Sequence, residues 1–90
     1  MQVAVSGKGV EIGEAFRRHA ETRITEGLSK YLDRVVSVDV VISKQAHLFQ
    51  ANIHSNVGTS ANLVIKSQDD AEDVYAAFDG AAAKIEKQLR

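Results

Sequence analysis

Two hydrophobic periods divide the chain. A two-residue alternation from Gln2 to Ser6 sets Val3 and Val5 on one side, with Gly7 and Gly9 at the exit, and predicts a short strand. From Gly13 the spacing changes. Ile12, Phe16, Ala20, Ile24, Leu28 and Leu32 recur every four residues, the stripe of an amphipathic helix. Gly13 stands at its N-cap position, and Glu14 suits the positive end of the helix dipole. Gly27 costs ~1 kcal/mol relative to alanine inside a helix, so the last third is expected to fray. Alternation returns in VVSVDVVISK, with Val36, Val38, Val40 and Ile42 on one face and Ser37, Asp39, Val41 and Ser43 on the other; its β-branched density makes it the clearest strand. Phe49, Ala51, Ile53 and Ser55 against Gln50, Asn52 and His54 predict a third strand with a wetter outer face. Asn56-Val57-Gly58 supplies turn chemistry, and Ala61, Leu63 and Ile65 against Asn62, Val64 and Lys66 predict a fourth strand. Asp70 as N-cap, with Asp73 three residues on, opens a last helix whose stripe is Val74, Phe78, Ala81, Ala82, Ile85 and Leu89.

The order β-α-β-β-β-α predicts an α+β domain: a four-stranded mixed sheet with two helices packed on one face. A helical crossover between the first two strands requires them to be parallel neighbours, and the later strands follow as antiparallel meanders. Only one face of each strand is apolar enough to need covering. Ninety residues without repeat, linker or proline suit one domain, residues 1–90. A composition of 44% hydrophobic and 26% charged residues is that of a globular domain rather than a disordered chain. No apolar run approaches the ~20 residues of a membrane span, and the opening lacks a signal peptide's apolar segment, so the expected location is cytoplasmic.

Reactive chemistry is sparse. The absence of cysteine excludes disulfides, thiolate zinc sites and cysteine nucleophiles. His47 and His54 lie an odd number of residues apart, which in one strand sends them to opposite faces and defeats a dyad or a two-histidine metal site. All three histidines, His19 on the first helix included, read as surface residues. The acid block Asp69, Asp70, Glu72 and Asp73 lacks the ligand spacing and glycine of a calcium loop and reads as capping and dipole compensation. SGKG is too short for a phosphate-binding loop and lacks its Gly-Lys-Ser/Thr ending. No catalytic residue, metal ligand, cofactor, small-molecule substrate or membrane partner is expected, and the protein does not read as an enzyme.

Charge adds a different signal. The net charge is −1, but without the four-residue acid block eleven cations face eight acids, leaving +3. Screening over ~8 Å makes such segregation matter more than the total. Lys84, Lys87 and Arg90 follow at steps of three on the last helix, sharing its solvent side with Ala76, Gly80 and Ala83. Small residues among long cations let a helix approach a phosphate backbone; a helix C-terminus also attracts bases through its dipole alone. The first helix adds Arg17, Arg18, Arg23 and Lys30 among Glu21 and Glu26, with Arg17–Glu21 an i,i+4 pair. Two basic ridges on helices ~10 Å apart would straddle neighbouring phosphates. Phe16, Phe49 and Phe78 are needed by the core, so RNA would be held by backbone and shape rather than by stacking.

The opening MQVAVSGKGVEIGEAFRRHAETRI, the strand VVSVDVVISK and the ending DVYAAFDGAAAKIEKQLR resemble the ribosome hibernation promoting factor family, which includes the ribosome-associated inhibitor protein Y. The likeness spans the chain in order. It is most specific at Asp73-Val74-Tyr75-Ala76-Ala77-Phe78-Asp79, then at Glu11-Ile12 with Ala15 and Arg17, and at Lys84 with Lys87-Gln88-Leu89. The resemblance implies the same element order. It also implies a factor that binds the small ribosomal subunit and its ribosomal RNA in the channel of mRNA and tRNA, silencing translation in starved or stationary bacterial cells. It points to Arg17, Arg23, Lys30, Lys84, Lys87 and Arg90 as RNA contacts, with Arg18 added as a neighbour. Departures are Gly13 for the usual threonine cap, Glu26 at an often basic place, a small insertion across residues 68–72, and an end at Arg90 where relatives continue into a basic tail. The chain therefore reads as the amino-terminal domain of a longer protein, whose second domain would pair ribosomes. A protein–protein module pairing through the open sheet face or the last edge strand, and a generic double-stranded-RNA binder, are the competing readings.

Overall fold

A computed structural model describes residues 1–31, 34–58 and 63–89. The elements are β1 (Gln2–Lys8), α1 (Glu14–Gly27), a 3-10 turn (Ser29–Tyr31), β2 (Val35–Gln45), β3 (Leu48–Val57), β4 (Leu63–Ala71) and α2 (Val74–Leu89). The strands lie in the order β1-β2-β3-β4, with β1 parallel to β2 and the remaining pairs antiparallel, as the crossover requires. Val5 of β1, Val38, Val40 and Ile42 of β2, and Ala51 and Ile53 of β3 pack with Phe16, Ala20 and Ile24 of α1 and Phe78, Ala81, Ala82 and Ile85 of α2 in one core. Both helices thus cover a single face. The alternate residues form a polar open face, in cross-strand rows such as Lys8-Ser43-Gln50-Asp70 and Ala4-Asp39-His54-Lys66.

Several local expectations change. Val36 does not join the core. The β2–β3 register shifts between Val35 and Ser37, which turns Val35 inward and leaves Val36 57% exposed. One extra residue flips the side-chain parity of everything before it. Asn56 and Val57 are strand rather than turn, paired with Val64 and Leu63. Asp70 is not the helix cap either. It lies in β4 opposite Gln50, and Asp73 is the cap, its Oδ1 accepting the Tyr75 N–H at 2.7 Å. β4 extends through the acids because its pairing with β3 continues to Ala71 opposite Phe49, and Ser67, on its inner side, donates to the Ala81 carbonyl at 2.8 Å and ties the strand to α2. The first helix ends at Gly27, and the 3-10 turn follows Leu28. The expected Leu32, Ala61 and Asn62 lie outside the described residues.

The β2–β3 hairpin is closed by Ala46 and His47, neither a strong turn former, so His47 is a turn residue and shares no strand with His54. Ala46 adopts φ +55°, the left-handed region that costs a residue with a Cβ about 1–2 kcal/mol. Ala46→Gly is expected to raise stability in chemical denaturation by about 0.5–1 kcal/mol, relief of strain exceeding the entropy glycine adds to the unfolded chain. The Ser55 hydroxyl is fully buried with no partner among the described residues. Ser55→Ala should stabilise by about 1 kcal/mol in the same assay by removing an uncompensated desolvation cost.

Candidate functional site

The helix layer is organised by a polar seam. On α1 the apolar stripe Phe16-Ala20-Ile24 faces the sheet, and His19 and Arg23, one turn apart, fall on the flank toward α2. On α2 the stripe Phe78-Ala81-Ala82-Ile85 faces the sheet, and Asp79 and Glu86, two turns apart, fall on the flank toward α1. Arg23 grips Glu86 through both carboxylate oxygens, Nε to Oε2 at 3.0 Å and Nη2 to Oε1 at 3.3 Å, and its Nη1 lies 3.5 Å from Asp79. His19 Nε2 shares a 2.8 Å hydrogen bond with the same Asp79 oxygen. The His19 ring stands edge-on to Tyr75 and Phe78, with centroids 5.0 and 5.7 Å away. The hydrogen bond that Arg23 donates to Glu86 raises the Arg23 pKa against its partial desolvation, and the charges of Glu86 and Asp79 add to it. Gly27 has its reason here: a Cβ would strike the Glu86 carboxylate, so glycine lets that acid lie against α1.

His19 is therefore not a bare surface histidine but half of an interhelical contact. The two adjoining basic ridges expected from the helices do not form either, because Asp79 and Glu86 fill the space between them. Arg17 lies on the opposite flank of α1, its Nη1 donating to the Val5 carbonyl at 2.8 Å, and its acid neighbour is Glu14 at 4.0 Å rather than Glu21. Lys84 leans away from α1 over the sheet edge, its Nζ donating to the Gln68 carbonyl at 2.9 Å and lying 3.5 Å from Asp69. Gly80 is not on the solvent side, since Asp69 packs where its Cβ would be. Arg18, Lys30 and Lys87 are exposed and make no ion pair among the described residues. Arg90 lies outside the described residues. The structure thus separates the expected cations into three that the fold itself holds (Arg17, Arg23 and Lys84) and three that are free toward solvent.

Arg34 was not singled out in the sequence. It stacks 5.0 Å over the Tyr31 ring and donates to the Leu89 carbonyl at 3.4 Å, a cation at the negative end of α2. The seam had a legible trace: His19/Arg23 at i,i+4 and Asp79/Glu86 at i,i+7 are oppositely charged flanks of two amphipathic helices. Among the described residues no group of three His, Cys, Asp or Glu side chains converges as a metal site, and no helix is long and apolar enough to cross a membrane. What the surface offers is charge and hydrogen-bonding capacity spread over a helix layer and an open sheet face.

A mixed four-stranded sheet roofed by two interlocked helices defines a class of small α+β domain also seen in solved structures. A ribosomal subunit interface protein from Coxiella burnetii superposes with a TM-score of 0.87 over 99% of this chain and 93% of its own, at 20% identity. The amino-terminal domain of Thermus thermophilus Protein Y does so with a TM-score of 0.83 over 99% and 96%, at 24% identity. The chain belongs to the family described as sigma 54 modulation protein / S30EA ribosomal protein, whose model matches residues 3–90. It is 35% identical over 91 residues to the ribosome hibernation promoting factor of Salmonella typhimurium, covering 99% of this chain and 90% of the relative. It is 36% identical over 90 residues to the ribosome hibernation promotion factor of Rhizobium meliloti, but spans only 46% of that protein.

A double-mutant cycle on Arg23→Ala and Glu86→Ala, read by denaturant unfolding, is expected to give a coupling energy of about 1 kcal/mol. That lies at the upper end for partly exposed pairs because the contact is bidentate. A coupling of zero would mean that the seam does not hold the helices together.

Proposed function

We propose that this chain is a ribosome hibernation factor. It binds the small ribosomal subunit through ribosomal RNA, occupies the decoding channel, and excludes mRNA and tRNA under starvation or in stationary phase. The observation that carries the reading is the match, across essentially the whole chain, to relatives named for ribosome hibernation. The location that goes with it is the cytoplasm. The R. meliloti relative has more than half its length outside the match, and residues 1–90 are read as the ribosome-binding domain of such an arrangement, with ribosome pairing assigned to the remainder of a longer protein.

The geometry supports binding by phosphate contact. Of the expected contacts, Arg18, Lys30 and Lys87 are those to which a phosphate has direct access, since none must first leave an acid partner among the described residues. Arg17, Lys84 and Arg90 extend the proposed contact set. Arg23 acts mainly by holding α1 against α2, since a phosphate would have to compete with two carboxylates for it. A rigid sheet-and-helix body suits exclusion, because a steric block works only if it resists deformation by the ligands it displaces. The open sheet face, lined by Gln50, Asn52, His54 and Lys66, is too polar for a tight hydrophobic partner interface, which disfavours the protein–protein reading.

Reversal of Arg18, Lys30 and Lys87 to glutamate is expected to lower ribosome co-sedimentation at least tenfold while leaving thermal unfolding nearly unchanged. Wild-type affinity should fall with salt at about −0.7 to −0.9 log units per log salt for each phosphate neutralised, and the triple variant should lose about three such increments. Pre-saturating small subunits with the protein should reduce filter binding of both mRNA and tRNA. Unchanged ribosome binding by the triple variant would remove these side chains from the interface. A wild type that ignores ribosomes but grips naked RNA duplexes would replace the reading with generic duplex binding.

A further inference from the structure

The free edges of the sheet are clasped by the helix layer. On β4, Lys84 Nζ donates to the Gln68 carbonyl at 2.9 Å and Gln88 Nε2 donates to the Lys66 carbonyl at 3.0 Å. Four residues of helix rise about 6 Å and two residues of strand advance about 7 Å, so one turn of α2 meets successive outward carbonyls of the edge strand. On β1, at the opposite edge, Arg17 takes the Val5 carbonyl. Unpaired main-chain groups of an edge strand are a template for a further strand, and these side chains occupy that template.

The β4 edge is also complementary to itself. Lys66 and Gln68 present their main-chain groups outward, and strand alternation places Asp70 in the same row. In an antiparallel pair of two β4 strands with Gln68 opposite Gln68, Lys66 of each copy stands opposite Asp70 of the other, on the open face. Sliding the centre to Lys66 or to Asp70 sets like charges opposite one another instead, which is destabilising. Above this edge α2 carries Gly80 and the exposed Ala76 and Ala83, so a second copy meets little bulk once Lys84 and Gln88 swing away.

We propose that β4 is a pairing edge for a second copy of this chain, held closed by Lys84 and Gln88. A ligand that draws Lys84 off the Gln68 carbonyl, such as a phosphate, opens one of the two clasps and couples ligand capture to strand exposure. The inference rests on the edge geometry and not on ribosome binding.

Sedimentation equilibrium of the purified chain tests it. The wild type is expected to sediment as a monomer at tens of micromolar, and Lys84→Ala/Gln88→Ala with double that mass. Lys84→Met/Gln88→Met, which keeps the aliphatic cover, should behave alike if the alanine variant loses packing. Adding Asp70→Lys should return the variant to a monomer, and adding Lys66→Asp to Asp70→Lys should restore the dimer. Clasp variants that stay folded by circular dichroism yet monomeric overturn the proposal. A dimer indifferent to Asp70→Lys, or a wild type already dimeric through another surface, overturns it equally.

Discussion

The Arg23 guanidinium held between Glu86 and Asp79 is the contact on which the helix layer depends. The sheet supplies an apolar floor, but the hydrophobic effect itself is non-directional. The seam adds direction. A bidentate arginine and a histidine one turn away meet two acids two turns apart, and they meet in one relative register of α1 and α2. Gly27 is part of the same constraint, because only a residue without a Cβ leaves room for Glu86. A glycine that weakens the helix in isolation thus permits the contact that positions it.

That constraint decides which charges remain free. Ten of the eleven cations lie in the described residues. Arg23 is spent on the seam, Arg17 and Lys84 on edge carbonyls, and Arg34 on the end of α2. Lys44 lies over the Phe49 ring, Lys8 and Lys66 stand in the rows of the open sheet face, and Arg18, Lys30 and Lys87 remain on the helix side as the cations from which the proposed RNA contact would start. A near-neutral chain can present a basic surface when its own acids are used internally or gathered at one sheet edge. Asp69 beside Lys84 and Asp70 in the β4 row show both uses.

The architecture was legible because hydrophobic period reports burial directly. Period two predicted strands and period four predicted helices in the right order, and the crossover rule supplied the parallel pair. The failures sit where one residue changes parity or one side chain competes with another. Val36 was misplaced by a single-residue irregularity that no pattern announces, and Asn56-Val57 looked like a turn because its chemistry allows one. Asp70 looked like a cap because three acids lie close enough in sequence to serve, while only Asp73 has its oxygen against the Tyr75 N–H. The hairpin between β2 and β3 was expected, but its left-handed residue was not, because alanine gives no sign of such a backbone at Ala46.

The residues by themselves determined the element order, the one-sided sheet and the likeness to ribosome hibernation factors, since all three depend on spacing along the chain. They also listed every cation. What those cations touch was decided only in three dimensions, because a charge finds its partner across 60 or more residues at the helix seam and across about 15 to 20 at the β4 edge. Composition counts positive charge, but the packing of α1 against α2 and of α2 against β4 determines how much of it is left for a ligand.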